Sequence, residues 1–388
     1  MKTDNRIIYQ IIALALLFLA VSCEDSPELP GAESVNRTVL VYMVASNNLG
    51  SGGFDKADLQ EMQKAAAAGD IVDGRLLVYH VPASGNPVLK EVTSGGIDTL
   101  AEYGSEVSSV SSSRMREVFD DMRRLAPASD YGLVLWSHAS GWLQDGMDDE
   151  IEDAGQAGDI VPQAFGQDKG RKMNMTALAR TLEGEGFGFV YFDCCYMGAV
   201  EVAYELRKAT PLVVASAAEL PSPGMPYDLN VKCFFQSTPD LVGAARNTFE
   251  YYDSMSGSMR TCTMSVIKTS GMERLAAAVA AVYRQADSPW PQGYMPQRYM
   301  TESRCYHFDL AHYARALTSD KALLDEFNGA LADVVLYEDA TPSLWNRLEI
   351  ESHCGLTTYI FDKESQTAIK GYNTTSWYRD VASQLLVR

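Results

Sequence analysis

A histidine and two cysteines stand at the ends of hydrophobic segments that have the composition of buried strands. His138 follows residues 133–137, and Cys194 and Cys195 follow residues 189–193. Ligands of parallel sheets bind beyond the carboxyl ends of the strands, so these side chains can converge although they are distant in sequence. The spacing therefore allows a thiol and an imidazole to meet in one crevice.

A thiol beside an imidazole is the arrangement of nucleophilic cysteine catalysis. The thiolate is the nucleophile, and a cysteine with an ordinary pKa of about 8.5 needs a neighbouring base to take up its proton. The periodicity predicts a helix from Met197 to Lys208, whose amino terminus would favour a thiolate and offer N–H groups to an oxyanion. A histidine or a buried cysteine taken alone is more often structural, and the residues by themselves leave that interpretation open.

Composition and motifs exclude several other kinds of site. The chain contains no Cys-x-x-Cys, His-Glu-x-x-His or Gly-x-Ser-x-Gly segment, which argues against the commonest zinc sites and serine hydrolases. The cysteines after Cys23 have no spacing that indicates a disulfide framework. The formal charge of -19 argues against nucleic acid as a partner, because phosphate binding depends on clustered Lys and Arg. The same charge is compatible with cationic substrates.

The amino terminus predicts export and lipid attachment. Residues 1–22 have a basic start, an apolar run from Ile7 to Val21 and small residues before Cys23, as in a bacterial lipoprotein signal peptide. The apolar run is too short for a membrane-spanning helix, which needs roughly 18 to 20 residues. We expect acylation at Cys23, an acidic, proline-containing tether over residues 23–36, and a location in the cell envelope, on the periplasmic side or the outer surface.

The pattern of the first two thirds predicts a mostly parallel sheet. Buried strands are expected at Thr38 to Ala45, Gly74 to Val81, Tyr131 to Ser137, Phe187 to Asp193 and Pro211 to Ala215. Helices are expected between them at Phe54 to Ala68, Ser113 to Leu125, Thr176 to Glu183 and Met197 to Lys208. This alternation is typical of a three-layer α/β/α sandwich, in which the strand ends position the histidine and the cysteines.

Residues 37–240 are predicted to form the main domain. Within it, residues 143–172 are rich in Gly and Asp without apolar periodicity, which predicts a mobile surface loop. Residues 241–388 are predicted to form a C-terminal accessory α/β region, with helices at Met272 to Gln285 and Asp309 to Leu317 and strands at Thr263 to Ile267 and Gly355 to Phe361.

Two segments resemble the signature motifs of the clostripain family of cysteine peptidases. Residues 135–142 read Leu-Trp-Ser-His-Ala-Ser-Gly-Trp, which is similar to the family's His-Gly-Ser-Gly-Trp. Residues 192–198 read Phe-Asp-Cys-Cys-Tyr-Met-Gly, which is similar to its Asp-Ala-Cys-Leu-Met-Gly. Weaker similarity extends the resemblance over about residues 38 to 361. It implies a caspase-like and gingipain-like fold and an endopeptidase that cleaves after Arg or Lys by a His-Cys dyad.

The resemblance assigns roles to individual residues. His138 corresponds to the general base and acid, and Cys195 to the nucleophile, because the family has one small residue between its aspartate and the reactive cysteine. Cys194 takes the place of that small residue and is expected to pack. The backbone N–H groups of Ala139 and Cys195 correspond to the oxyanion hole. Asp193 corresponds to the carboxylate that binds the basic side chain of the substrate.

Alternatives to these roles remain. Asp193 can instead cap the helix that follows it, and Glu219 is a second candidate for the substrate carboxylate. Ala139 stands where the family has glycine, and a positive φ there would cost roughly 1 kcal/mol or more. Ser46 and Tyr196 also depart from the family pattern. Ala139 is the feature that favours a catalytically inactive surface lipoprotein acting as a binding or assembly module. A thiol-redox role for the adjacent cysteines is disfavoured, because vicinal disulfides are strained.

The loop between the motifs carries the remaining expectations. Lys169, Arg171 and Lys172 lie where the family can cleave itself. The acidic run from Asp148 to Asp153 offers oxygen ligands for Ca²⁺, although it lacks the spacing of a defined calcium loop. No resident metal or required cofactor is expected. The expected partners are peptides or proteins that contain Arg or Lys, and the membrane through the N-terminal lipid.

Overall fold

The computed structural model describes residues 34–143, 150–152, 165–288, 294–301, 305–361 and 371–385. Ser34–Arg388 form one compact unit. The strands are β1 (Val35–Val44), β2 (Gly74–Val81), β3 (Val88–Thr93), β4 (Gly96–Glu102), β5 (Ala128–Trp136), β6 (Glu150–Glu152), β7 (Phe165–Asp168), β8 (Arg171–Met173), β9 (Phe187–Asp193), β10 (Leu212–Ala215), β11 (Thr263–Lys268), β12 (Phe308–Asp309), β13 (Val335–Ala340), β14 (Ser343–Leu344), β15 (Leu348–Glu349) and β16 (Thr357–Thr358). The α-helices are α1 (Asn48–Ser51), α2 (Phe54–Ala68), α3 (Ser112–Leu125), α4 (Met175–Leu182), α5 (Val200–Glu205), α6 (Tyr227–Phe234), α7 (Leu241–Asp253), α8 (Met272–Gln285), α9 (Leu310–Leu317), α10 (Lys321–Val334) and α11 (Ser376–Asp380).

Nine of these strands form one sheet, in the spatial order β13-β11-β10-β9-β5-β1-β2-β3-β4. The five central strands, from β10 to β2, run parallel, whereas the two outer strands on each side pair antiparallel. The register aligns Met43 of β1 with Trp136 of β5, and Trp136 with Asp193 of β9. The loops after these three strands therefore leave the sheet side by side.

Both faces of the sheet are covered by helices, because successive side chains of a strand point to opposite sides. Leu40 and Tyr42 belong to the core beneath α3, α4, α5 and α8, whereas Val39 and Val41 belong to the core beneath α2, α6 and α7. Strands that are buried on both faces consist of continuous apolar residues, so the sequence pattern predicted them. The predicted three-layer α/β/α sandwich with a mostly parallel sheet is confirmed.

The C-terminal part of the chain extends this sheet. Residues 241–388, predicted as an accessory region, supply β11, which pairs with β10, and β13, which pairs with β11. The boundary predicted between residues 240 and 241 therefore does not divide two compact units. The strand predicted at Gly355 to Phe361 is limited to the short β16, which pairs with β12.

The segment 143–172, predicted as a mobile loop, contains regular structure where it is described. Strands β6, β7 and β8 form a small sheet with β8 in the centre. Phe165 and Lys172 are buried. The loop prediction is therefore wrong for residues 165–172. The acidic run from Asp148 to Asp153 lies outside the described residues except for the backbone of β6.

The helix after Cys195 starts later than predicted. Helix α5 begins at Val200, and a 3-10 turn continues it over Leu206–Lys208. Before it, the N–H of Tyr196 donates to the carbonyl of Ala218, and that of Gly198 donates to Ser216. These tertiary bonds engage the N–H groups that an earlier helix start would leave free. The helix prediction from Met197 is wrong at its amino end.

In the described part of the chain, no helix is long and apolar enough to cross a membrane. The predicted signal peptide and Cys23 lie outside the described residues. Val35 and Asn36, predicted as the end of the tether, already belong to β1.

Candidate active site

A cleft of about 330 Å³ opens at the carboxyl ends of the central parallel strands. The loops after β1, β5, β9 and β10 contribute to its walls, together with the hairpin of β14 and β15. Residues that line it include Leu49, His138, Asp193, Cys195, Glu219 and Trp345. The two residues expected to form a dyad therefore face one cavity, together with both candidate carboxylates for the substrate.

The imidazole of His138 is oriented by Asn48, the first residue of α1. Its Nε2 lies 2.6 Å from Asn48 Oδ1. Because an amide oxygen only accepts, Nε2 carries the proton and donates it, which leaves the lone pair of the neutral ring on Nδ1. Burial lowers the pKa of His138, and the positive charge of Lys172 lowers it further. The ring is therefore a neutral base at pH 7.

Asn47 holds the loops around His138 together. Its side-chain amide donates to the carbonyls of Val44 at 3.0 Å and Gln167 at 2.9 Å, and its Oδ1 accepts the N–H of Leu49. Ser137 Oγ also donates to the carbonyl of Val44, at 2.9 Å. The ends of β1 and β5 and the β7–β8 hairpin are thus joined directly beside the imidazole.

The two adjacent cysteines have different environments. Cys194 is buried in the core on one face of the sheet, where its Sγ donates to the carbonyl of Leu135 at 2.9 Å. Cys195 is half-buried, and its Sγ contacts the carbonyl of Leu220 at 3.8 Å. Burial raises the pKa of Cys195 to about 12, and the negative charge of Glu219 contributes to the rise. Both cysteines are free thiols, as are Cys233, Cys262, Cys305 and Cys354.

The thiol and the imidazole are not yet engaged with each other. Among the described residues, the sulfur of Cys195 contacts Leu220 while the Nε2 of His138 contacts Asn48. With a raised thiol pKa and a lowered imidazole pKa, both groups are neutral at pH 7. The two groups therefore form a neutral thiol and a neutral imidazole rather than a thiolate–imidazolium ion pair.

The backbone at Ala139 is not strained. The described non-glycine residues with positive φ include Tyr196, at 62°, but not Ala139. Ala139 forms an isolated bridge with Phe165, and the carbonyl of His138 accepts the N–H of Gly166 at 2.9 Å. The expected penalty for an alanine at this position is therefore absent. The oxyanion roles of Ala139 and Cys195 remain predictions.

Gly141 is the residue of the first motif that needs to be glycine. Its φ is +72°, and a Cβ would lie 2.7 Å from His307 Cε1 and 2.7 Å from the carbonyl oxygen of Tyr196. The ring of His307 is buried and stacks on Tyr196, with 4.8 Å between ring centroids. Burial lowers the pKa of His307 to about 3, so this ring is neutral. His307 thus packs between the two motifs.

The tryptophan of the first motif anchors the C-terminal segment. Trp142 is fully buried, and its ring contacts Tyr372 at 4.5 Å and Tyr359 at 5.0 Å between centroids. Tyr372 in turn donates to Glu201 of α5. Aromatic packing of this kind fixes the loop after His138 against the segment around β16.

Asp193 is a buried carboxylate in the wall of the cleft. Its oxygens accept the N–H of Met225 at 3.0 Å and the hydroxyl of Tyr227 at 3.2 Å. Burial raises its pKa to about 7, although both hydrogen bonds oppose the rise. Gly224 approaches so closely that a Cβ would lie 2.8 Å from the carboxylate oxygens. The carboxylate thus has a fixed position in the cleft.

The alternative role of Asp193 as a helix cap is not supported. The N-cap of α5 is Ala199, and no side chain caps this helix. A second carboxyl group, Asp58 of α2, is buried close by and accepts the indole N–H of Trp136 at 2.6 Å. Burial, with the charge of Asp193, raises the pKa of Asp58 to about 9. Asp193 therefore lies beside a second buried carboxyl group.

The predicted self-cleavage residues occupy unequal positions. Arg171 and Lys172 belong to β8, the central strand of the small sheet, and Lys172 is buried. Lys169 is exposed at the turn between β7 and β8, with a φ of +50°. Of the three, Lys169 is the one that lies outside the paired strand β8.

Sequence reasoning missed four residues around the site. Asn48 lies within the weaker family similarity that begins near residue 38, and no role was assigned to it. Asp58 was only one polar position of a predicted helix. His307 and Trp345 come from the C-terminal part, where no motif marked them. Only the structure distinguishes Trp345, because its backbone has a positive φ.

A histidine and a cysteine lie at neighbouring strand ends, beside a buried carboxylate, on a three-layer α/β/α sandwich. Residues 41–380 match the clostripain family, peptidase family C11, so the chain belongs to this family of cysteine peptidases. The resemblance seen in the two motifs is confirmed. No curated protein matches the chain.

Solved structures of similar proteins support the fold. A secreted C11 cysteine protease from Bacteroides thetaiotaomicron, in complex with an irreversible peptide inhibitor, is 26% identical with a TM-score of 0.74, and the match covers 89% of this chain and 99% of that one. An inactive zymogen C11 protease from Parabacteroides distasonis is 24% identical with a TM-score of 0.76, over 90% of this chain and 99% of that one. A B. fragilis cysteine protease is 27% identical with a TM-score of 0.51, over 56% of this chain and 96% of that one.

Proposed function

We propose that this chain is an exported cysteine endopeptidase that cleaves after Arg or Lys, with Cys195 as nucleophile and His138 as general base and acid. The observation that carries the proposal is that one cleft is lined by Cys195, His138 and the buried carboxylate of Asp193. A nucleophile, a base and a cation-binding group are the three elements that such a reaction needs.

The proton positions favour general-base activation of a neutral thiol. Because His138 donates from Nε2 to Asn48, Nδ1 is the nitrogen that can accept the proton of Cys195. The sulfur turns from the carbonyl of Leu220, loses its proton to Nδ1 and attacks the substrate carbonyl. The imidazolium then protonates the leaving amine, and water hydrolyses the acyl-enzyme with the same base. The N–H groups of Ala139 and Cys195 would stabilise the oxyanion.

Asp193 is the proposed partner of the basic side chain. A guanidinium or ammonium group would form a charge-assisted hydrogen bond with its carboxylate. Because a bound cation favours the ionised carboxylate and burial raises the pKa of Asp193 in the empty cleft, affinity for Arg and Lys peptides should rise with pH and level off once Asp193 is ionised without ligand. Glu219 adds negative charge at the same opening.

Export and lipid attachment at Cys23 are part of the proposal. They rest on the sequence of residues 1–23, and the similar Bacteroides thetaiotaomicron protease is described as secreted. That protease binds a peptide inhibitor, which is consistent with peptide or protein substrates here. We place the enzyme in the cell envelope, held by its lipid.

We propose self-processing at Lys169. Between Arg124 and Arg171, Lys169 is the only Lys or Arg in the sequence. Lys169 lies in the exposed turn between β7 and β8, whereas Arg171 and Lys172 belong to the central strand β8, which is paired on both sides, with β6 and with β7. Ca²⁺ binding by the acidic run remains a separate and weaker proposal.

A second candidate function is supported by the resting geometry of the thiol. The contact of Cys195 with Leu220 and its raised pKa suit a catalytically silent binding or assembly protein as well as an enzyme that awaits activation. The sequence favoured this candidate because Ala139 stands where the family has glycine. Since the backbone at Ala139 is unstrained, that reason does not hold.

Turnover of fluorogenic Arg and Lys peptides distinguishes the two functions. The purified protein is assayed with and without Ca²⁺, beside Cys195→Ala and the matched control Cys194→Ala. The peptidase proposal predicts activity that Cys195→Ala abolishes and Cys194→Ala retains. Absence of turnover in every form, including protein nicked after Lys169, would support the binding protein instead.

A further inference from the structure

Trp345 occupies an unusual backbone position at the mouth of the cleft. It lies in the tight turn between β14 and β15, where Trp345 and Asn346 have φ values of 52° and 54°. The N–H of Arg347 donates to the carbonyl of Leu344 at 2.9 Å and closes the turn. Positive φ at both central residues is the signature of a type I′ turn.

Tryptophan is a poor residue for the first central position of such a turn. Asn, Asp and Gly are favoured there, and a bulky residue at positive φ is a genuine outlier. Asn346 fits its own position, so the turn requirement explains Asn346 but not Trp345. Strained residues of this kind persist where the surrounding structure holds them, often at ligand sites.

The surrounding structure does hold this turn. The N–H of Trp345 donates to Thr261 Oγ1 at 3.1 Å, and Leu344 is buried against Ala217 and Ala218. Those two alanines lead directly into Glu219, which lines the cleft. The indole is therefore fixed relative to the segment that forms one wall of the cleft.

The half-buried indole of Trp345 lines the same cavity as two carboxylates, Asp193 and Glu219. Carboxylates pair with a guanidinium group at its edge, and an aromatic ring stacks on its face, so the two kinds of contact are compatible. The cleft thus offers a guanidinium both recognition elements. A lysine ammonium is a compact, strongly hydrated charge and gains less from the ring.

We propose that Trp345 is a specificity-determining residue that stacks on the guanidinium of a bound Arg side chain and makes this site prefer Arg to Lys. This proposal rests on the proposed cleavage after Arg or Lys and extends it. The strain in the turn is retained because it presents the ring to the substrate.

The kinetic test compares Trp345→Leu with wild type on peptides that differ only in Arg, Lys or citrulline at the cleaved residue. A cation–π contact predicts a rise of about 5- to 30-fold in KM for the Arg peptide, a rise of less than about 3-fold for Lys, and little change in kcat. Turnover of the citrulline peptide, which has the shape of Arg without its charge, should be unchanged. An equal loss on all three peptides, or no loss on Arg, would overturn the proposal.

Two further variants separate binding from folding. Trp345→Asn places a favoured residue in the turn, so it should raise the thermal midpoint while losing the Arg preference. Asn346→Gly keeps the turn and the indole and should leave the Arg preference intact. If Trp345 served only the fold, Trp345→Asn would lower the midpoint and the Arg preference would survive.

A binding measurement on Cys195→Ala makes the test independent of turnover. Agmatine, which carries the guanidinium and side chain of Arg without its carboxyl group, is titrated calorimetrically into Cys195→Ala and into Cys195→Ala with Trp345→Leu. Binding that weakens about 5- to 30-fold with Trp345→Leu supports the proposal. Equal binding, or none, overturns it. Agmatine binding without peptide turnover in wild type would instead locate the failure in the proposed peptidase activity.

Discussion

Gly141→Ala should be among the most damaging single-methyl changes in this protein. Two separate costs follow from the structure. A left-handed conformation, with φ at +72°, costs an L-residue about 1–2 kcal/mol. The new Cβ would also lie 2.7 Å from a backbone oxygen of Tyr196 and from the buried ring of His307, an overpacking that costs about 1–3 kcal/mol. The expected loss of unfolding free energy is therefore about 2–5 kcal/mol.

Gly184→Ala is the matched control for the backbone cost. Gly184 has a similar φ of +84°, but a Cβ there meets nothing within 4 Å. It should lose only the conformational part, about 1–2 kcal/mol. The difference between the two variants isolates the contact with Tyr196 and His307.

Urea unfolding of both variants and wild type measures these free energies. Peptidase activity should fall with Gly141→Ala, since the added methyl pushes on the residue after Cys195, and should be retained with Gly184→Ala. Equal stability losses in the two variants would refute the view that His307 and Tyr196 leave no room at Gly141.

Three other substitutions test the site and its support. Ala139→Gly should give no gain in kcat and lose about 0.4–1 kcal/mol of stability, because no positive φ is present at this position; a gain in kcat would contradict this. Asn48→Ala should lower kcat about tenfold with little effect on KM, since it removes the bond that fixes the tautomer of His138; an unchanged kcat would exclude the orienting role. Burial raises the pKa of Glu201 to about 7, so the stability that its protonated form contributes is complete below about pH 4.5 and is lost as the pH rises to about 7. In Glu201→Gln, the free energy of unfolding should vary less with pH across that window than in wild type. At pH 8 the variant should be more stable than wild type by up to about 3 kcal/mol. If the unfolding free energies of the two proteins changed with pH in parallel, the prediction would be wrong.

Strands and helices that depend on the local pattern of apolar residues were predicted from the sequence. The continuous apolar run of β9 and the helical spacing of α2 gave the observed bounds, Phe187–Asp193 and Phe54–Ala68. Because parallel strands deliver their following residues to one side of a sheet, the meeting of His138 with the two cysteines followed from the strand assignments alone, whereas Asp193 was added by the family resemblance. The resemblance of the motifs then indicated Cys195, rather than Cys194, as the expected nucleophile.

Features that depend on tertiary contacts could not be predicted. The late start of α5 follows from backbone bonds of Tyr196 and Gly198 to the segment after β10, which no local pattern shows. The joining of β11 and β13 to the sheet depends on pairing between distant strands. Lys172 was predicted as a cleavage site because the family resemblance places self-cleavage in a segment whose Gly- and Asp-rich composition predicted a loop, but Lys172 is buried in β8 of the small sheet.

The role of Asn48 was also beyond the sequence. Asn is common in turns and helix caps, and the neighbouring Asn47 indeed caps α1. Only the structure distinguishes the residue that caps the helix from the residue that orients His138.

Covalent labelling tests the central claim most directly. The purified protein is treated with an irreversible peptide inhibitor that carries Arg at the cleaved position, and the modified residue is mapped by mass spectrometry. We predict an adduct on Cys195 that persists in Cys194→Ala, disappears in Cys195→Ala and is reduced by agmatine. An adduct on Cys194, or no adduct in protein whose loop has been cleaved, would contradict the assignment of this cleft as a cysteine-peptidase site for basic residues.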